Sequence, residues 1–312
     1  MLVSVCIPCY RSARTLPAVI NEIQREFAAH PGYEYRIILV NDGSPDDTFQ
    51  VIQSLCEQDK RIIGVDLSRN YGQAHAKMAA LSFAAGDALV FMDDDGQHPA
   101  AGIFCLLKEI EQGNDVVYAR FAQKQHGLHK CFLSFVHNKL SEWNGVNPKG
   151  VKRSAFVAWS RFAFEAARQY KSPFPSPAGY LMQVTSKITS AEVEHRKRAA
   201  GRSGYTVRKL FKLWMDSFTN FSVVPLRFAS FIGALCACGG FMWGVVLVIR
   251  KLVRPAVPMG YTSTVSAILF VGGVIMLMLG LLGEYIGRIY MTVSGMPQYK
   301  VSQIINEEES QI

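Results

Sequence analysis

Up to about residue 120, short apolar runs alternate with longer stretches whose apolar positions recur at helical spacing. The runs VSVCIP from Val3, YRIILVND from Tyr35, IIGVDL from Ile62, ALVFMDDD from Ala88 and DVVYA from Asp115 have strand length and composition. Between them, helical patterns start near Thr15, Asp46, Gln73 and Pro99. Asp46 and Asp47 suit a helix start because a carboxylate accepts from unsatisfied first-turn N–H groups. Pro99 suits a first turn because its missing N–H is not needed there. Such alternation predicts an α/β fold with a mostly parallel sheet and helices on both faces. On such sheets ligands bind beyond the carboxyl ends of the strands.

The last third is patterned differently. Phe228–Ile249 and Val265–Gly283 carry no charge. At about 22 and 19 residues, each is long enough to cross about 30 Å of hydrocarbon as a helix. Neither run has a polar face, which argues against a buried soluble hairpin. Pro255 and Pro258 in the link prevent one continuous helix. Gly240 with Gly244, and Gly283 with Gly287, have the spacing that permits close helix contact. Before the first run, Leu210, Phe211, Leu213, Trp214, Phe218 and Phe221 lie among Arg208, Lys209 and Lys212. That is the pattern of an amphipathic helix on an anionic membrane face. Two crossings return the C-terminus to the side of the N-terminal domain. That domain opens with a run cut by Pro8 and Arg11, unlike a secretory signal, and is expected on the cytoplasmic side.

Composition narrows the function classes. Of 312 residues, 49% are hydrophobic and 19% charged, with mean hydropathy +0.12. This excludes a disordered chain, a collagen-like repeat or a nucleic-acid-binding tail. The net charge of +8 calls for an anionic partner. The cysteine count of 7 is odd, and Cys236 and Cys238 sit inside an apolar run, which argues against a disulfide framework. Cys6-Ile7-Pro8-Cys9 has redox spacing. However, Cys6 falls within a strand-like run and Tyr-Arg-Ser follows Cys9 as a turn, so the helix N-terminus that lowers a redox thiol's pKa is missing.

The strand ends carry the candidate chemistry. Pro8-Cys9-Tyr10 closes the first, Asn41-Asp42-Gly43-Ser44 the second, Ser68–Gly72 the third and Asp93–His98 the fourth. One such cluster is ordinary turn punctuation; four on one edge of a sheet describe a site. Asp93, Asp94 and Asp95 repel one another unless a cation or an ordered turn absorbs the charge. In an extended backbone Asp93 and Asp95 face one way and Asp94 the other. Such a pair of oxygen ligands suits Mg²⁺ or Mn²⁺ shared with a substrate's phosphates. There is no G-x-x-x-x-G-K loop, which argues against a P-loop nucleotidase.

Val5–Tyr10 (V-x-I-P-x-Y), Asn41–Thr48 (NDGSxDxT), Ser68–Gly72 (SRNYG) and Asp93–Pro99 (DxDxQxP) together resemble family 2 glycosyltransferases. Their order and spacing, with the C-terminal hairpin, resemble the polyprenyl-phosphate glycosyltransferases, among them bactoprenol glucosyltransferases and dolichol-phosphate mannose synthases. The resemblance implies a GT-A, Rossmann-like domain over 1–204, an amphipathic juxtamembrane helix over 205–227, two transmembrane helices over 228–286 and a cytoplasmic C-terminal tail over 287–312. It implies that Pro8, Tyr10, Asp42, Ser44, Gly72, Asp93 and Asp94 bind the nucleotide sugar, with Asp42 at the uracil or ribose. Asp95 would hold Mg²⁺ or Mn²⁺ at the donor diphosphate, and Gln97 would lie near the transferring sugar. Asp93, Asp95, Gln97 and Arg198 would carry catalysis. His195–Tyr205 is similar to the family's R-x-x-R-x-x-G-x-S-K-Y, with Arg198 on the second arginine, His195 replacing the first and Gly204 replacing the lysine. Arg196, Arg198 and Tyr205 would meet the lipid phosphate or the donor diphosphate. Many relatives carry an Asp, proposed as catalytic base, in an S/G-D-F-R-L segment. Here Ser154-Ala155-Phe156-Val157-Ala158 has Ala155 in that place.

A missing base is consistent with a phosphate acceptor. A phosphate monoester has its second pKa near 6, so at pH 7 it is largely ionised and attacks without giving up a proton. The expectation is a metal-dependent, inverting, in-line transfer from a nucleotide sugar, a UDP-sugar, to undecaprenyl phosphate at the inner membrane. The partners are the donor, the lipid and the membrane, with no nucleic acid, and a homo-oligomer is expected. Two readings compete: transfer to a hydroxyl of a membrane glycolipid or glycan, and a non-catalytic membrane scaffold that keeps a nucleotide-sugar pocket. Residues 120–150, with Lys124, Lys130, His137 and Lys139 among Phe132, Leu133, Phe135 and Trp143, are expected to cover the mouth of the cleft. The tail after Gly295 is expected to add a strand to a neighbour.

Overall fold

A computed structural model describes residues 1–121, 151, 153–193, 224–253 and 260–306. Strands β1 (Leu2–Cys9), β2 (Glu34–Asn41), β3 (Ile62–Leu67) and β4 (Ala88–Phe91) alternate with helices α1 (Leu16–Ala29), α2 (Thr48–Gln58) and α3 (Gln73–Phe83). Helix α4 (Gly102–Glu111) leads to β5 (Val116–Phe121). Later come β6 (Val157–Ser160), α5 (Arg161–Arg168), α6 (Pro177–Val184) and β7 (Ile188–Val193). With β8 (Val301–Ile305) the strands form one 8-stranded sheet, ordered β7-β5-β6-β4-β1-β2-β3-β8. β1 pairs in parallel with β2 and β4, β2 with β3, and β5 with β7. β6 and β8 run antiparallel to their neighbours. The expected mostly parallel α/β sheet is therefore present.

The strand pleat explains why both faces had to be covered. Val3, Val5, Ile7 and Cys9 of β1 join Ile37 and Leu39 of β2 in a core with residues of α1, α2 and α4. Cys6, Ile38, Val40 and Phe91 point the opposite way, into a core with residues of α3, α5 and α6. A strand buried on both faces is apolar at successive positions, which is why these segments read as continuous runs. One helix start differs from expectation. Pro99 lies in a turn closed by Gly102 N–H donating to Pro99 O (2.9 Å), and α4 begins at Gly102.

The chain divides into two compact units, Met1–Lys209 with Pro297–Ile312, and Leu210–Met296. In the second unit, α7 (Val224–Val253) and α8 (Tyr261–Val293) contain the two expected apolar runs. Among the described residues one stretch, Phe270–Val293, is long and apolar enough to cross a membrane, and none of it is buried. Within it, Glu284 and Arg288 pair one turn apart (2.9 Å) and blunt each other's charge. The G-x-x-x-G glycines do not bring α7 and α8 together. A Cβ at Gly240, Gly244, Gly283 or Gly287 would have no atom within 4 Å, whereas one at Gly233 would touch Met278. The strand expected to join a neighbour is instead β8 of the chain's own sheet, antiparallel to β3. The amphipathic pattern at 208–221 and the segment 122–150 lie outside the described residues.

Candidate active site

The carboxyl ends of β1 to β4 meet at one rim. Pro8 is buried in β1 opposite Val40, beyond Cys6, the last β1 residue paired with β4. Beyond it the backbone turns sharply, with Arg11 at φ 58. Tyr10 N–H donates to Asp94 Oδ2 (3.1 Å), Ser12 Oγ donates to the same oxygen, and Arg11 N–H donates to Ser44 Oγ (3.2 Å). Tyr10 itself is 44% exposed, leaving its ring available to a ligand.

After β2, Ser44 N–H donates to Asn41 Oδ1 (3.3 Å), and Asp42 N–H donates to Cys9 O (2.9 Å). The Asp42 carboxylate accepts from Tyr71 N–H (2.7 Å) and Gly72 N–H (2.9 Å) in the loop after β3. Burial pushes the Asp42 pKa up, and those two N–H donors and the nearby His75 pull against it. Gly43, at φ +57, is the contact point of the two loops. A Cβ there would stand 2.5 Å from the backbone of Arg69 and Asn70, so only glycine fits.

The acidic tip is a turn and not a strand. β4 stops at Phe91 and Gly96 has φ +73, so the strand alternation expected to place Asp93 and Asp95 on one side does not apply. Asp94 is spoken for by the β1 loop, and burial raises its pKa against the bonds from Ser12 and Tyr10. Asp95 Oδ1 accepts from Gln97 N–H (3.0 Å), an ordered turn that absorbs part of the charge. Asp93 Oδ1 accepts from Gln73 Nε2 (2.9 Å) at the start of α3.

His98 holds Asp93 from the other side. Asp93 N–H donates to His98 Nδ1 (3.0 Å), and Nε2 is 3.8 Å from Asp93 Oδ2. A backbone N–H only donates, so Nδ1 is unprotonated and the ring proton sits on Nε2, facing the carboxylate. The ring is fixed by near-parallel stacking on Phe156 (4.9 Å, 12°) and Phe121 (5.9 Å, 9°). Lys77 adds a cation. Burial lowers its pKa, Asp93 opposes that shift, and Nζ lies 5.2 Å from the Phe91 ring centre.

The structure thus brings Pro8, Tyr10, Asp42, Ser44, Gly72, Asp93, Asp94, Asp95 and Gln97 to one edge of the sheet. Arg196, Arg198, Tyr205 and His195 lie outside the described residues. Ala155 precedes β6, next to Phe156 of the His98 stack. Ser12, Gln73 and Lys77 carry no site role in the sequence reading, and His98 enters it only as the last residue of the fourth strand end. His98 had a signal, standing within the Asp93–Pro99 motif, but its tautomer is set by a fold-dependent partner. The Cys6–Cys9 pair has no redox geometry. The two thiols lie on opposite faces of β1, both fully buried, and burial pushes both pKa values up.

Among the described residues no three His, Cys, Asp or Glu side chains converge to hold a metal. Asp93 and Asp95 are half-buried oxygen donors at the rim. That donor set fits a hard cation that takes its other ligands from substrate phosphates and water, as Mg²⁺ does.

This rim on this sheet defines a family 2 glycosyltransferase, and the chain belongs to that family: the glycosyl transferase family 2 model matches residues 4–165. A second model, the GtrB C-terminal hairpin, matches residues 224–289 and marks the chain as membrane-associated through that hairpin. The chain is 34% identical to an undecaprenyl-phosphate 4-deoxy-4-formamido-L-arabinose transferase of Photorhabdus laumondii, over 99% of this chain and 95% of that one. It is 30% identical to the SfII prophage-derived bactoprenol glucosyl transferase of Shigella flexneri, over 97% and 98%. Among solved structures, the glucosyl-3-phosphoglycerate synthase of Mycobacterium tuberculosis in complex with Mn²⁺, UDP-glucose and phosphoglyceric acid shares the fold. Its TM-score is 0.50 at 17% identity, over 70% of this chain and 77% of that one.

Proposed function

We propose that the protein transfers a sugar, with inversion, from a UDP-sugar to undecaprenyl phosphate at the cytoplasmic face of the inner membrane. The observation that carries the reading is the convergence of four strand tips on one rim ending in Asp93–Asp95, in a chain with a lipid-facing hairpin. Full-length relatives named for undecaprenyl-phosphate and bactoprenol transfer support the acceptor. The return of the chain into its own sheet as β8 supports an even number of crossings. The proposal includes assembly into a homo-oligomer.

Asp42, Ser44, Gly72, Pro8 and Tyr10 receive the nucleotide, with the Asp42 carboxylate held open by two backbone N–H groups. Asp93, oriented by Gln73 and His98, and Gln97 face the sugar, while Asp94 fixes the β1 loop that carries Tyr10. Asp95 would hold Mg²⁺ or Mn²⁺, which when bound supplies positive charge to the departing diphosphate. Arg198, with Arg196 or Lys197, offsets the repulsion between two anionic reactants, and Tyr205 meets the lipid phosphate or the donor diphosphate. An ionised phosphate needs no proton acceptor, which accords with Ala155 where a base would stand. Inversion follows from one displacement at the anomeric carbon.

Incubating the detergent-solubilised protein with a panel of labelled UDP-sugars and undecaprenyl phosphate tests the reading. A lipid product labile to mild acid is expected. Label recovered only in acid-stable glycolipid would replace it with hydroxyl transfer, and no turnover with any donor would favour the scaffold.

A further inference from the structure

The loop after β3, whose N–H groups hold the Asp42 carboxylate, leans on the chain that follows the C-terminal hairpin. Helix α8 ends at Val293, and the next few residues are bonded into the sheet unit. Gln298 Nε2 donates to Tyr170 O (2.9 Å) and Ser172 O (2.7 Å). Tyr299 OH and Ser82 Oγ are 2.7 Å apart, joining the segment to the end of α3. Lys300 grips the loop after β3 through its backbone. Its carbonyl accepts from Ser68 N–H (2.9 Å). Ser68 Oγ in turn lies 3.1 Å from the Tyr71 hydroxyl.

The contacts run on to the nucleotide carboxylate. Tyr71 and Gly72 are the residues whose N–H groups hold Asp42. The turn clamped by Gln298 continues into Pro173; burial lowers the His75 pKa, and the backbones of Pro173 and Tyr71 pull against that shift. On β3, Asp66 faces Gln303 and accepts from Asn41 Nδ2 (2.7 Å), one residue before Asp42. Holding a short loop with two N–H groups converged on one carboxylate costs conformational entropy. Ties on its far side offset that cost before a ligand arrives.

We propose that residues 298–301 are a strap that holds the nucleotide loop 68–72 in its binding conformation, with Gln298 and Tyr299 as positioning residues for the donor. The donor site is then assembled from chain on both sides of the hairpin. The inference rests on Asp42 being a nucleotide ligand.

The test uses the full chain in detergent, with UDP affinity measured by calorimetry and KM measured separately for the UDP-sugar and for undecaprenyl phosphate. Gln298→Ala removes two hydrogen bonds and is expected to weaken UDP binding and raise the donor KM about three- to tenfold. Tyr299→Phe keeps the ring and removes one bond, for a smaller rise, and adding Ser82→Ala to it should cost nothing further. Acceptor KM and kcat should stay within about twofold, whereas a merely structural defect would lower kcat through the folded fraction and leave affinity alone. Variants that bind UDP as the wild type does sink the strap alone. A wild type that binds no UDP sinks the donor reading and the strap with it.

Discussion

Asp93, Asp94 and Asp95 are neighbours in sequence with three different sets of partners. Asp94 is consumed by the β1 loop, Asp95 by its own turn, and Asp93 by Gln73 and His98. Replacing Asp95 with Asn should therefore lower metal-dependent turnover by about two orders of magnitude or more, while circular dichroism in detergent stays unchanged. Retained turnover would remove Asp95 from the metal assignment. His98→Phe preserves the stack and deletes the acceptor for Asp93 N–H. Turnover should fall about fivefold, the worth of one hydrogen bond of about 1 kcal/mol to a buried group, with UDP affinity unaltered. An equal loss in both would mean that the whole rim had collapsed. The carboxylate run itself was legible as chemistry; which oxygen meets which donor was not, because that depends on loops from three other strands.

At the scale of elements, the opposite edge of the sheet carries its own charge cluster. Asp59, after α2, accepts from Gln24, Tyr35 and Arg61, and the Arg61 guanidinium lies 4.2 Å from the Tyr35 ring centre. Burial pushes the Asp59 pKa up, but the bonds from Arg61 and Tyr35 outweigh it and leave the carboxyl well below the usual range. A depressed carboxylate stabilises the fold fully above its unfolded value of about 4, and that contribution declines as pH falls toward the folded value. The thermal midpoint should thus drop more steeply between about pH 5 and pH 3 in the wild type than in Asp59→Asn. Asp42 and Asp94, shifted the other way by burial, act equally in both proteins. Parallel midpoints would show that the cluster adds no pH-dependent stability. Strands and helices at this scale were legible from apolar period, while the carboxylate cap expected at Asp46 and Asp47 did not form: α2 starts at Thr48 with no side-chain bond from Asp47. The start of α4 was not legible, because Pro99 serves equally in a turn.

For the whole molecule, β8 decides the topology. The same segment could complete its own sheet or a neighbour's, and here it pairs with β3, after a hairpin that began downstream of β7. Tags fused at the two ends should therefore be accessible together in one vesicle orientation and protected together in the other; one tag accessible in each orientation would mean an odd number of crossings.

The apolar periods, the proline-broken hydrophobic runs and the polar strand ends are local properties, so the sequence by itself determined the α/β class, the hairpin and the edge where the site lies. Tertiary structure alone decided the partnerships. Tyr10 and Asp94 are 84 residues apart, Tyr71 and Asp42 are 29, and Ser82 and Tyr299 are 217. No local pattern records which distant backbone N–H will face a carboxylate, or which sheet edge a five-residue strand will choose. Both are settled only when packing brings the loops together and sets a distant donor against each of these acceptors.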